Sequence, residues 1–181
     1  MTALLYVDGE VTSAKSTGPM IIAHVCNEVG VWVGEDAKAI ASRWPQVRSA
    51  YYRWYRNRIR NDFTAGAVQF VEHFQRHRNH KTRIANMIAQ PDHRRSVRFR
   101  SFEKCLLHVS RKAKKMEATV HMPKIGPDQT ESWFELEAII LRMLCSSQIN
   151  VFVYIPKSQQ KKKWFNDEKT SPPLPMDHSS L

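Results

Sequence analysis

The stretch Met20–Pro45, MIIAHVCNEVGVWVGEDAKAIASRWP, constrains this chain more than any other. Met20–Cys26 is a short apolar, partly β-branched run that starts after Gly18-Pro19, which predicts a buried strand. Asn27–Gly34 follows as a loop with two glycines, and a helix is expected from Asp36 or Ala37 to just before Pro45. A strand, a glycine-bearing loop and a helix N-terminus form either an ordinary turn of an α/β domain or a cradle for phosphate. The cradle works because unpaired backbone N–H groups and the helix dipole favour an anion.

The flanking segments repeat this grammar. Strands are expected at Leu4–Val7, Gly66–Val71, Arg83–Gln90, Ala118–Met122 and Asn150–Ile155. Helices are expected at Gln46–Arg58, where Val47, Ala50, Tyr51, Trp54 and Tyr55 share a face, then from Ser101 to Met116 and from Trp133 to Cys145. This alternation predicts an α/β fold, a three-layer α/β/α sandwich with a mixed, mostly parallel sheet. The domain is expected to span 1–156. The tail, 157–181, turns abruptly to Ser, Gln, Lys, Asp and Pro and reads as disordered. Ligands of such sheets bind at the carboxyl ends of the strands, where the loops Asn27–Glu35 and Lys124–Ser132 face one crevice.

Charge narrows the partners. The chain has 28 Lys and Arg against 17 Asp and Glu, a net charge of +11, which favours polyanions such as nucleic acid. The basic residues are spread over Arg53–Arg60, Arg76–Arg83, His93–Arg100, Arg111–Lys115 and Lys161–Lys163, so a broad positive field is expected rather than one dedicated motif. No apolar run reaches the roughly 18–20 residues needed to cross a bilayer. The N-terminus lacks a basic leader, so no membrane partner and an intracellular, cytoplasmic or nuclear, setting are expected. Cys26, Cys105 and Cys145 form no CxxC pair and read as buried thiols. His73, His77 and His80 sit among Arg76, Arg78 and Lys81, a solvated basic segment rather than a zinc site, and no metal or cofactor is expected. His24 and His121 fall in strands and read as core.

The segments YVDGEVT (6–12), IIAHVCNEVGVWVGEDAKAI (21–40), RWPQVRSAYYRWY (43–55), GAVQFV (66–71), IANMIAQ (84–90) and ATVHMPKIG (118–126) together resemble a macrodomain. The nearest branch holds the terminal ADP-ribose protein glycohydrolases, an ADP-ribose-1″-phosphate phosphatase and a chromatin-remodeller macrodomain. The resemblance implies a ligand of ADP-ribose, free, on a protein, or polymeric. It places the adenine near Gly9, Glu10 and Val11, with Glu10 where the family has Asp. It places the pyrophosphate on Gly30, Val33, Gly34 and Glu35, and on Ile125 and Gly126 of the second loop.

Both phosphate loops depart from the family pattern. Val33 and Glu35 replace glycines, and the second loop gains Pro127, Asp128 and Glu131. A carboxylate about 4 Å from a phosphate charge, at an effective dielectric of about 20, costs about 4 kcal/mol, so Glu35 must point away if the site binds. The glycohydrolase lysine is replaced by Gln90, an amide that forms no Schiff base. Three functions follow from the resemblance. The first is an ADP-ribose-binding module, with Asn27 against the distal ribose. The second is a hydrolase of ADP-ribosylated protein or ADP-ribose-1″-phosphate, using Asn27 and Asp128. The third is a degenerate macrodomain serving nucleic-acid or protein interaction.

Overall fold

The computed structural model describes residues 3–73, 81–125 and 132–156. Six strands form one sheet, β1 (Leu4–Asp8), β2 (Met20–Asn27), β3 (Val68–His73), β4 (Thr82–Gln90), β5 (Thr119–Pro123) and β6 (Val151–Ile155), in the order β1-β6-β5-β2-β4-β3. Every pairing is parallel except β3 with β4. Four helices, α1 (Glu35–Arg43), α2 (Pro45–Arg56), α3 (Phe99–Met116) and α4 (Ser132–Met143), connect them.

Alternation along the central strands sorts the core into two layers. Ile21 and Ala23 of β2 pack with Ala85 and Met87 of β4 against Phe102, Leu106 and Val109 of α3 and Leu136 and Ile140 of α4. Ile22 and Cys26 pack with Ile84 and Ile88 against Ile40 of α1 and Val47, Tyr51 and Trp54 of α2. A sheet covered on both faces explains why β2 and β4 read as nearly continuous apolar runs. The expected three-layer sandwich is therefore the fold found.

Several boundaries shift for identifiable reasons. α3 begins at Phe99, two residues before Ser101, and Ser101 is buried inside its first turn. Arg98 is the cap without a side-chain cap bond, and its N–H is held by Ala89 O at 2.8 Å. Tertiary anchoring therefore sets that start instead of a hydroxyl cap. α1 begins at Glu35, so Glu35 belongs to the helix and not to the loop. β3 begins at Val68: Gly66 (φ +94°) is in the turn that leads into it, and the ladder opens with Val68 opposite Met87. α4 stops at Met143, with Cys145 in the short turn that follows. The expectations for His77, His80, Gly126, Pro127, Asp128, Glu131 and the tail lie outside the described residues.

Candidate functional site

The β2–α1 loop is built around one side chain. Asn27 ends β2, is 4% exposed, and sits where the β2–β4 register slips, with Cys26 opposite Ile88 but Asn27 opposite Gln90. Its Nδ2 donates to Val31 O at 2.6 Å. Its Oδ1 accepts from Val29 N at 3.2 Å and Val31 N at 3.1 Å. The Tyr51 hydroxyl of α2 donates to Asn27 O at 2.7 Å and lies 3.2 Å from Oδ1. The amide thus closes the loop on itself and ties it to α2. The sequence offered Asn27 as a ribose contact, and here its side chain makes the bonds of a loop cap.

Two further devices fix the loop. Trp32 is 9% exposed and donates its indole N–H to Ala37 O at 2.8 Å, which ties the loop to α1. Its ring lies edge-on to His24 (5.2 Å between centroids) and tilted against Tyr51 (5.4 Å). Gly30 has φ +73°, and a Cβ there would fall within the Tyr55 ring. Only glycine meets both conditions. Gly34 caps α1 at φ +98°, ψ 156°, again a glycine conformation, with open space where a Cβ would stand.

These parts wall a crevice of about 210 Å³ at the carboxyl ends of β2 and β4, lined by Cys26, Asn27, Val33, Gly34, Gln90 and His93, with His24 and Trp32 at its back. Gly34 and Ala37 bring the first turn of α1 to it, and the N–H groups of that turn have no partner within the helix. Glu35 is exposed and is absent from the lining. His24 is buried and bonds Asn86 Oδ1 through Nε2 at 2.6 Å. Burial depresses its pKa to about 4, so it is neutral near pH 7. Burial pushes the Cys26 thiol well up, so it is no thiolate nucleophile. Asp36 is raised to about 6, first by burial and then by the neighbouring charges of Glu35 and Glu10.

Of the ligand-binding residues expected from sequence, Asn27, Val33 and Gly34 line the crevice. Gly30 stands behind it on Tyr55. Glu10 is exposed, and its charge reaches Asp36 at the start of α1. Gly9 follows β1 directly, its N–H bonded to Ile155 O at 2.9 Å. Val11 and Ile125 are buried, one in each core layer. Gly126 and Asp128 lie outside the described residues. His93 and Trp32 were not singled out from sequence. His93 follows β4 by three residues in a polar run, and only the crevice gives it meaning.

No family model matches the chain. Among solved structures, a macrodomain protein from Streptomyces coelicolor is 37% identical over 84% of this chain and 99% of its own, with a TM-score of 0.76. The chain belongs to the macrodomain family. A protein of unknown function from Bacteroides thetaiotaomicron is 31% identical over 84% of this macrodomain chain and 98% of its own, with a TM-score of 0.74. The DarTG protein of Thermosipho africanus, solved in complex with ADP-ribose, shares the fold at 17% identity and a TM-score of 0.63, over 77% of this chain and 39% of that one.

Proposed function

We propose that this macrodomain binds ADP-ribose in the crevice between the carboxyl ends of β2 and β4. The observation that carries the reading is the Gly34-capped start of α1 opening into that crevice beside the Asn27-closed loop. Family membership supports it, and so does the fold shared with a protein solved with ADP-ribose. The pyrophosphate lies against Val33, Gly34 and the free N–H groups of α1, where the helix end supplies positive potential. The adenine lies toward Gly9, Glu10 and Val11, and the distal ribose toward Asn27. Glu35 is compatible with this pose because it faces solvent rather than the crevice.

We take the module to bind rather than hydrolyse. Gln90 supplies no nucleophile and donates to Arg95 O at 3.1 Å. The Asn27 amide already holds the loop. The physiological form of the ligand is then an ADP-ribosyl group on a protein, single or polymeric. The binding unit is 1–156, a boundary supported by relatives that match 84% of the chain over nearly their whole length. The cell interior is the setting that suits three free cysteines.

A crystal soaked with ADP-ribose tests the reading. Density for the pyrophosphate against Gly34 is expected. An empty crevice at saturating ligand overturns it. Release of ADP-ribose from a modified protein, abolished by Asp128→Ala, would replace the binder by the hydrolase.

A further inference from the structure

The outer face of the β2–α1 loop carries a feature that the crevice does not use. Two triplets of the same pattern, Arg58-Ile59-Arg60 and Arg98-Phe99-Arg100, are each tied to it through their first arginine. Arg98 Nη1 donates to Glu28 Oε2 at 2.8 Å. Two residues further on, Gly30 packs on the Tyr55 ring, and the Arg58 guanidinium sits 4.3 Å from the centroid of that ring. Arg58 Nη1 also donates to Tyr55 O at 3.3 Å. Arg98 thus holds the loop at Glu28, and Arg58 covers the Tyr55 ring on which Gly30 rests.

The face is cationic and partly apolar. Glu28 and Asp92 are each bound by an arginine, Arg98 and Arg95, and Asp62 accepts the Trp54 indole N–H. Among the described residues Arg58, Arg60, Arg94 and Arg100 make no ion pair with a carboxylate. Between these charges the protein exposes Ile59 (93%), Val29 (42%) and Phe99 (37%). Exposing a side chain as large as Ile59 gains the isolated fold nothing. Alternating guanidinium groups and exposed apolar side chains suit a flexible phosphodiester with unpaired bases: arginines take the phosphates, while the apolar side chains and guanidinium planes take the base faces. A duplex hides those base faces.

We propose that this surface, formed by Arg58-Ile59-Arg60, Val29, Arg94 and Arg98-Phe99-Arg100, binds single-stranded nucleic acid beside the crevice. It does not depend on what occupies the crevice, since none of these residues lines it.

The test uses the full chain and a fluorescein-labelled single strand of about 12 nucleotides, read by anisotropy. Contact with four phosphates gives a slope of log K against log salt near −3, or about 50-fold weaker binding between roughly 50 and 200 mM salt. The exposed-site variant Arg58→Ala/Arg60→Ala/Arg100→Ala should reduce the slope to about −1 and weaken binding at low salt by more than about tenfold, with a cooperative melt retained and lowered only by the few degrees that the lost Arg58–Tyr55 contact accounts for. Ile59→Ala/Phe99→Ala should weaken binding and leave the slope. Saturating ADP-ribose should not displace the strand. Wild-type affinity in the triple-arginine variant, equal affinity for a duplex of the same length, or displacement by ADP-ribose would each overturn the proposal. The salt slope, the duplex comparison and the variants' affinities do not depend on whether ADP-ribose binds the crevice.

Discussion

Replacing Asn27 by alanine removes the centre of the β2–α1 loop. The side chain makes four hydrogen bonds, to Val31 O, Val29 N, Val31 N and the Tyr51 hydroxyl. At about 1 kcal/mol net for each, the loss is about 4 kcal/mol. The Tyr51 bond to the Asn27 carbonyl survives, and water reaches the part-buried Val29 and Val31 groups, so about 3 kcal/mol is expected. For a domain of this size that is a fall of about 6–12 °C in melting temperature. Asn27→Asp keeps the acceptor but turns the Nδ2 donor, 2.6 Å from Val31 O, into a second oxygen facing that carbonyl. It should destabilise as well, through that repulsion. The assay is urea unfolding followed by tryptophan fluorescence, because Trp32 reports the same loop through its bond to Ala37 O. A loss of stability in both variants, matched by a loss of ADP-ribose affinity, is expected. An Asn27→Ala midpoint within about 0.5 kcal/mol of wild type would refute the structural role and leave the amide free for a ligand.

Gly30→Ala should cost about 3 kcal/mol, from its left-handed φ and from displacement of Tyr55, and Tyr55→Ala in the same chain should recover part of it, a coupling read by a double-mutant cycle in urea. Asp36 has a folded pKa raised to about 6 from 3.8, so the folded state binds the extra proton between these values and stability falls as pH rises through that window. Asp36→Asn should therefore raise the melting temperature above pH 6 and lose that advantage below about pH 4. His24 and His121 have folded pKa values lowered to about 4 by burial, so the stability of their neutral forms is complete above 6.5 and is lost as pH falls toward 4. The acid limb of a urea-midpoint profile should flatten in His24→Gln/His121→Gln.

The parts of the fold written in local pattern were legible before the structure. Ile21 and Ile22 sit side by side in an apolar run because both faces of β2 are covered, and Val47, Tyr51 and Trp54 recur at helical spacing because α2 buries one face. What local pattern misleads on is set by distant contacts. Ser101 is the kind of residue that caps helices, yet α3 starts two residues earlier because Ala89 holds Arg98. The site divides in the same way. Gly30 and Gly34 were readable as the two glycines of the loop after β2, and both take a positive φ there. Glu35 was ambiguous because one residue of helix register decides whether a first-turn carboxylate faces the crevice or the solvent. His93 was invisible because a histidine in a polar run carries no signal until β4 and α1 bring it to the crevice wall. The Arg58 and Arg98 triplets lie 40 residues apart in sequence, and only the contacts of Arg98 with Glu28 and of Arg58 with Tyr55 tie both to the neighbourhood of one loop.

The most direct measurement is a calorimetric titration of the full chain with ADP-ribose beside Val33→Glu. Val33 is 43% exposed and lines the crevice, so this change places a carboxylate there without glycine strain. A one-site heat with a dissociation constant below about 100 µM, weakened at least about tenfold in the variant, is the predicted result. No heat from the wild-type chain, or equal affinity in the variant, would contradict binding in this crevice.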